Sequence, residues 1–409
     1  MKKLTVDILF RLLGATIFHP VVSLLVACGL VLSGLEPSPV ELGADIGSTR
    51  WVGPSSGKMR WALWCVAFAW VLSLNRFLNR RALNPAPKSK PDFSREVVVV
   101  TGGSTGIGAI LVRKLEVTGA TVVVLDMAPL SYNAGPRTSY IRCDVSSSDD
   151  VRAAAKAVRD QHGRASILVA NAGLVRGKAL LDATDEDLRL TFNVNVLGLL
   201  WAVRAFLPEM IAANRGHVLV TASSTAFLSL AGMSDYSASK AAVGSLVEGL
   251  HTELKHKHGN PAVAVSAIYP AIIGTAMFRD LDVPDSFLAP ILDPNEVAQK
   301  MFDILAKGQS ENAYMPAYAL AKVWFRVIPT WMRVALQDVG SHMADKMGGK
   351  NEGYATVVLV RHACLKTEAN GAIWDYGGAG TAGLTGRIHT AGISSDCMVP
   401  GRFERPGVT

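Results

Sequence analysis

Tyr236 and Lys240, in YSASK, stand four residues apart and share one face of any helix that contains them. A free phenol titrates near ~10 and is a poor acid or base at neutral pH, whereas a fixed cation beside it favours the phenolate and lowers that value. The pair can therefore make a proton-transfer group. The spacing also arises by chance on solvated helices, so its use depends on what the chain places around it.

The segment EVVVVT, ending at Thr101, is a short β-branched run of the kind buried on both faces of a parallel sheet. TGGSTGIG follows at once, and then a helical pattern through Leu111, Val112 and Leu115. Gly102 permits the tight turn, Gly106 lets backbone approach a phosphate, and Gly108 lets helix pack close to strand. The loop residues Gly102, Ser104, Thr105, Gly106, Ile107 and Gly108 are thus the candidates for holding a dinucleotide pyrophosphate. A second strand, ATVVVLD, closes at Asp126, eighteen residues after Gly108. A carboxylate there can hydrogen-bond ribose hydroxyls and repels a 2′-phosphate, which favours NAD, with NADP as the alternative should Arg142 fold over the site. YIRCDV places Asp144 and Val145 at the end of a third strand, near the adenine. SILVANAG gives a fourth strand, ending in Asn171, Ala172 and Gly173.

Together these motifs resemble the short-chain dehydrogenase/reductase family. Thr101, Gly102, Gly106 and Gly108 match its T-G-x-x-x-G-x-G loop, Asn171-Ala172-Gly173 its N-A-G segment, and Tyr236 with Lys240 its Y-x-x-x-K pair. Ser223, thirteen residues before Tyr236, stands where that family keeps its catalytic serine, and Asn195 in NVNVLG stands where it has the asparagine that bends a helix and holds a water. The P-G segment of the family reads Pro270-Ala271 here, with Gly274-Thr275 following. The resemblance implies an α/β, Rossmann-type doubly wound parallel sheet binding NAD(P), with Pro270 and Thr275 on the nicotinamide side. It also implies roles: Tyr236 as acid/base, Lys240 lowering its pKa and holding the nicotinamide ribose, Ser223 (or the adjacent Ser224) bonding the substrate oxygen, and Asn195 fixing a proton-relaying water. The loop spacing argues against a sugar-nucleotide epimerase.

The chain has 409 residues, of which only 18% are charged, and a mean hydropathy of +0.26 that is high for a soluble enzyme. Two apolar runs account for this. Ile8 to Leu35 is long enough to span a bilayer, with Pro20 expected to kink it; Trp61 to Leu78 could cross with snorkelling arginine or lie at the interface. Lys2, Lys3 and Arg11 precede the first run and Arg76, Arg80 and Arg81 follow the second, which favours a hairpin with both ends cytosolic. A cleaved signal peptide is the rival reading, and it leaves the second run unexplained. No N-x-[ST] sequon occurs. The formal charge of +7 shows no basic stripe interleaved with aromatics, so nucleic acid is not an expected partner. The five scattered cysteines form no C-x-x-C spacing, and His256-x-His258 lacks a third ligand, so no metal site is expected.

The expected organisation is a membrane-anchoring segment at 1–82, a proline-rich linker at 83–93, a catalytic domain at 94–316, apolar helices at 317–350 divided at Pro329, and a disordered tail at 351–409. The anchor, Asp126 and an A-Y-M-P segment followed by apolar helices together resemble the branch containing retinol dehydrogenases and the 17-beta-hydroxysteroid dehydrogenases of lipid droplets. That implies a lipophilic alcohol or carbonyl substrate, a site on the endoplasmic reticulum or lipid droplets, and a homodimer as one arrangement. The alternatives are a ketoacyl or ketosphingolipid reductase, and a catalytically idle membrane-bound interaction protein of the same fold.

Overall fold

The computed structural model describes residues 19–33, 57–86, 88–275, 277 and 290–338, with residues 8, 12, 13, 15 and 16 before them. The expected tail at 351–409, the stretch 339–350 and most of the link between the apolar runs lie outside the described residues.

The catalytic domain is built on one sheet of seven parallel strands: β1 (Val97–Thr101), β2 (Thr121–Asp126), β3 (Thr138–Arg142), β4 (Ile167–Ala170), β5 (Gly216–Thr221), β6 (Val263–Pro270) and β7 (Asn312–Met315). Their order is β3-β2-β1-β4-β5-β6-β7. The chain winds outward from β1 in one direction, returns, and winds out the other way from β4. The crevice at the C-terminal ends of β1 and β4 is therefore the switch point where such sheets bind ligands. The central strands are valine-rich because both faces are covered. On one face lie α4 (Ser148–His162), α6 (Gly198–Ala212) and α7 (Ser234–His256), packed on Val99, Leu168, Val218 and Val265. On the other lie α3 (Gly106–Glu116) and α8 (Pro294–Lys307), packed on Val98, Val100, Leu219 and Ile268.

Local signals set the helix ends. In α8, Asp293 accepts a hydrogen bond from the Asn295 N–H, Pro294 occupies the first turn, and Gly308 closes the helix in the left-handed region at φ 64°. In α5 (Asp185–Phe192), Thr184 and Asp187 form a reciprocal capping box. A π-helical turn, Asn193–Leu197, then joins α5 to α6.

The N-terminal region holds α1 (Pro20–Ser33) and α2 (Gly57–Leu83), which pack on each other. Pro20 does not kink a helix: it stands at the first position of α1, where its missing N–H costs nothing. The second apolar run forms one continuous helix longer than expected, 27 residues, or about 40 Å at ~1.5 Å per residue, against ~30 Å of hydrocarbon. Among the described residues it is the N-terminal helix long and apolar enough to cross a membrane. The other such stretch, Asp185–Ala212, belongs to the catalytic core. The connection after α2 is tied down rather than free. The Asn84 Nδ2 donates to the Ser310 carbonyl at 3.1 Å, and the Ser310 N–H donates to Asn84 Oδ1 at 2.8 Å. Lys88 Nζ donates to Ser310 Oγ at 2.8 Å.

After β7, Ala317–Arg326 forms a 3-10 helix in place of an α-helix, and residues 330–338, just past Pro329, are α-helical.

Candidate active site

Thr101 ends β1, and the chain turns through Gly102 at φ 65° and Gly106 at φ 58°, both in the left-handed region. A Cβ at Gly108 would stand 2.2 Å from the Gly102 carbonyl oxygen, so only glycine lets α3 start this close to the turn. Thr105 is the N-cap of α3 but makes no side-chain capping bond, whereas Ser147 and Asp293 do so on their helices. The first-turn amides of α3 thus face a cradle, in which a Cβ on Gly106 would meet only Thr275 Cγ2, at 3.9 Å. Amides at a helix N-terminus above an open cradle suit a pyrophosphate, so the residues present fit NAD(P).

Not every loop candidate faces that cradle. The Ser104 N–H donates to Asp126 Oδ2 at 3.0 Å and its hydroxyl to the Ala128 carbonyl at 2.8 Å, so this buried residue fastens the loop to the end of β2. Ile107 is buried in the core beneath α3. Asp126 also accepts from the Ala128 N–H at 3.1 Å, which fixes its carboxylate beside the loop. Arg142 is the residue paired with Asp126 on β3. That strand stops at Arg142, so Asp144 and Val145 lie beyond its end, in the turn before α4. Asp144 Oδ1 accepts from the Ser146 N–H at 2.9 Å, and Val145 lies behind the site with Asn195 and Lys240.

Asn171 and Ala172 are held across the crevice by a residue the sequence reading marks only as a motif position. Thr101 Oγ1 accepts from the Asn171 N–H at 3.0 Å and the Ala172 N–H at 3.1 Å. Asn171 Nδ2 donates to the Gly102 carbonyl at 3.0 Å, and Thr221 Oγ1 donates to Asn171 Oδ1 at 3.1 Å. The absence of a side chain at Gly173 brings this turn against the site: a Cβ there would be 3.2 Å from Asn195 Oδ1 and 3.3 Å from Lys240 Nζ.

Tyr236 and Lys240 sit on the first turns of α7, both buried. The Tyr236 hydroxyl is hydrogen-bonded to Ser223, which follows the end of β5. Ser223 also accepts from Thr225 Oγ1 at 2.9 Å, while Ser224 Oγ accepts from Lys322 Nζ at 3.1 Å. The strand register thus brings Ser223, not Ser224, to the phenol. Lys240 Nζ donates to the Thr221 carbonyl at 2.9 Å and lies 5.8 Å from the centre of the Tyr236 ring.

Burial pushes the Tyr236 phenol up to about 12 against a smaller downward effect of the Ser223 hydrogen bond, and burial lowers Lys240 to about 8. The expected lowering of Tyr236 by the lysine is not seen: burial raises the phenol, opposed only by the Ser223 hydrogen bond. Asn195 lies in the π-helical turn, as often happens where a helix is bent for a function. It accepts from the Leu174 N–H at 2.9 Å and donates to the Leu174 carbonyl and to Ser239 Oγ, each at 3.0 Å. Asn195, Thr221 and Lys240 line an internal cavity of about 10 Å³, close to the space of one water.

The loop after Gly173 is anchored by a buried ion cluster. Arg176 Nε donates to Asp187 Oδ1 at 2.6 Å and Lys178 Nζ to Oδ2 at 2.7 Å. Burial alone would raise the Asp187 carboxyl, but hydrogen bonds from Lys178, Thr184 and Arg176 hold it well below the usual carboxylate range. Nothing in the spacing of Arg176 and Asp187 announces this pair.

A doubly wound parallel sheet with a glycine cradle at its switch point defines a dinucleotide-binding protein. The family model for short chain dehydrogenases matches residues 96–284. Over 277 residues the chain is 31% identical to epidermal retinol dehydrogenase 2 of Mus musculus, covering 65% of this chain and 89% of that one. It is 34% identical to short-chain dehydrogenase/reductase 3 of Homo sapiens (55% and 76% covered) and 31% identical to estradiol 17-beta-dehydrogenase 11 of Mus musculus (59% and 83% covered). Among solved structures, a short chain dehydrogenase of Burkholderia cenocepacia in complex with NADP is similar, with a TM-score of 0.51 and 30% identity over 59% of this chain and 98% of that one. The chain belongs to the short-chain dehydrogenase/reductase family, in its retinol and 17-beta-hydroxysteroid dehydrogenase branch, and is an oxidoreductase acting on CH–OH groups.

Proposed function

We propose that this protein is a membrane-anchored oxidoreductase that interconverts a lipophilic alcohol and its aldehyde or ketone, a retinoid, steroid or long-chain lipid, with NAD as the preferred cofactor. The observation that carries the reading is the meeting of Ser223, Tyr236 and Lys240 beside the glycine cradle. An idle protein has no chemical reason to keep all three together in one buried site.

The amides of the glycine loop and of α3 would hold the pyrophosphate, Asp126 the adenosine ribose, Asn171-Ala172-Gly173 and Lys240 the nicotinamide side. Bound there, the cofactor supplies or accepts the hydride. The chain supplies the proton. With its phenol at about 12, Tyr236 keeps its proton at neutral pH and can give it to a carbonyl oxygen that Ser223 also hydrogen-bonds. Lys240, at about 8, is still charged at pH 7 and can resupply the phenol through the small cavity beside Asn195. Alcohol oxidation runs the same path in reverse and requires Tyr236 to lose its proton first.

The lipophilic substrate follows from two supports, the 27-residue apolar helix α2 and the names of the relatives, a retinol dehydrogenase and an estradiol 17-beta-dehydrogenase. A bilayer concentrates such molecules and delivers them without passage through water. We place the catalytic domain on the cytosolic face of the endoplasmic reticulum or of lipid droplets, since Arg76, Arg80 and Arg81 follow the apolar part of α2.

The test uses the full chain in isolated membranes, with all-trans-retinol and estradiol offered with NAD and with NADP. Tyr236→Phe should lower turnover on the order of a thousandfold, with NADH binding retained. Parent-like turnover by that variant would defeat the assignment. Protease added to sealed microsomes should digest the domain from Val97 onward, and full protection without detergent would reverse the orientation.

A further inference from the structure

Residues 317–338 follow β7 and carry an apolar stripe with no counterpart in the core. Leu320, Trp324, Val327, Trp331 and Val334 are separated by four, three, four and three residues. All of them face outward: Leu320 is 52% exposed, Trp324 66%, Val327 71%, Trp331 73% and Val334 45%. The side turned to the protein is mixed: Ala319 is buried, Val323, Phe325 and Ile328 are half-buried, and three polar side chains reach across to the catalytic domain. Lys322 Nζ donates to Ser224 Oγ at 3.1 Å, Arg326 to the Ala226 carbonyl at 2.7 Å, and Gln337 to the Ser229 carbonyl at 3.0 Å. These three bonds fasten the segment to the loop that begins at Ser223. The two exposed tryptophans are left with nothing of the catalytic domain over them.

We propose that this stripe is a second membrane contact, which seats the substrate mouth on the same bilayer that α2 crosses. The inference rests on the membrane reading given above and extends it from the anchor to the catalytic site. What commits the stripe to lipid is its position relative to the anchor. The end of α2 is clamped to Ser310 through Asn84. Ser310 begins the chain that runs through β7 to Ala317, seven residues on, a reach of at most roughly 25 Å. β7 is the outermost strand of the sheet, so the anchor and the stripe leave the domain along the same edge, from opposite ends of one strand. Its composition suits the interface: two tryptophans, which settle at the boundary of hydrocarbon and headgroup, among aliphatic residues, with Arg333 alongside for lipid phosphates. Docked in this way, the segment opens the loop of Ser223 towards the hydrocarbon, and a lipophilic substrate enters laterally.

The test places a nitroxide on the full chain reconstituted in phosphatidylcholine–phosphatidylserine vesicles. The label is attached at Val327→Cys, with Cys28, Cys65, Cys364 and Cys397 changed to serine and the buried Cys143 kept. Two companions carry the label at Leu74→Cys in α2 and at Val117→Cys, an exposed residue at the end of α3. Collision with oxygen relative to a water-soluble nickel chelate reports depth. Docking requires that ratio at position 327 to be several-fold above the ratio at 117. A ratio at 327 equal to that at 117, with 74 deep in the bilayer, overturns the docking and leaves the anchor intact. Protection at 327 from both colliders together with dipolar broadening means that a second copy covers the stripe, and this too overturns the proposal. A shallow 74 with a deep 327 would instead refute the anchor and retain the docking.

Discussion

Gly108→Ala tests the cofactor cradle at the position where the structure leaves least room. The new Cβ would stand 2.2 Å from the Gly102 carbonyl oxygen, 2.8 Å from Asn171 Nδ2 and 3.0 Å from the Gly102 carbonyl carbon. Ordinary contact begins near 3.4 Å, so about 1.2 Å must be found. Neither neighbour yields easily: one is backbone in a tight turn, and the other is an amide held at both ends, by Gly102 and Thr221. The start of α3 must retreat instead. An amide that bonds a phosphate oxygen near ~2.9 Å is then carried past hydrogen-bonding reach. Each bond to a charged acceptor contributes about 1.5–3 kcal/mol, so loss of one weakens cofactor binding roughly 10- to 150-fold. The assay is an NADH fluorescence titration on the detergent-solubilised full chain, with Gly163→Ala as control. Gly163 also has a positive φ, 84°, but nothing lies within 4 Å of its would-be Cβ. It should lose about 1–3 kcal/mol of stability to backbone strain and no affinity. A folded Gly108→Ala protein that binds NADH within twofold of the parent would refute the cradle.

Three further outcomes are expected. Ser223→Ala should lower kcat roughly a hundredfold through the lost bond to the substrate oxygen, whereas Ser224→Ala, which loses only the Lys322 partner, should stay within a few-fold; equal losses would mean that the two serines share the role. His217 is fully buried, hydrogen-bonded to Ser266 at 2.9 Å, and lowered by burial to about 3. Below its unfolded pKa of ~6.5 the unfolded chain gains a proton that the native state refuses, so stability falls as pH drops, by about 2 kcal/mol at pH 5. Denaturant midpoints should show this loss in the parent and not in His217→Gln, and identical losses would assign the acid sensitivity elsewhere. Asp126→Ala should improve NADPH binding several-fold to a hundredfold, on the order of 1–3 kcal/mol, read by side-by-side titration of NADH and NADPH; tighter NADPH binding in the parent would show that Arg142, its neighbour on β3, governs the choice.

Much of the site is legible in the sequence because its requirements are local. A left-handed turn needs glycine, and Gly102 and Gly106 adopt one. The spacing of four between Tyr236 and Lys240 becomes shared burial on one face of α7. The strand runs gave the right sheet because valine-rich segments buried on both faces pair in parallel, and the order around β1 then follows. What escaped is held by partners distant along the chain. Thr101 bonds residues 171 and 172, and Lys322 bonds Ser224 across 98 positions. No local pattern encodes such a contact. The apolar helix α2 was read short because Asn75, Arg76, Asn79, Arg80 and Arg81 interrupt hydropathy without interrupting helix propensity.

The disagreement over Tyr236 has the same origin. Read along the chain, a lysine one helical turn away is an unscreened charge, and it ought to favour the phenolate. In the folded site, Lys240 Nζ donates a hydrogen bond to the Thr221 carbonyl at 2.9 Å. Both groups are also out of water, and burial opposes charge on each, raising the phenol to about 12 and lowering the ammonium to about 8. Two groups whose ordinary values nearly coincide are thus driven apart by about 4 units, with the phenol as the one that holds its proton. The protonated phenol is the form that can donate to a carbonyl oxygen. Alcohol oxidation needs the phenolate instead, which a cation brought nearer the phenol favours, and Lys240 is the ammonium in the same buried site that carries two further donors for that purpose.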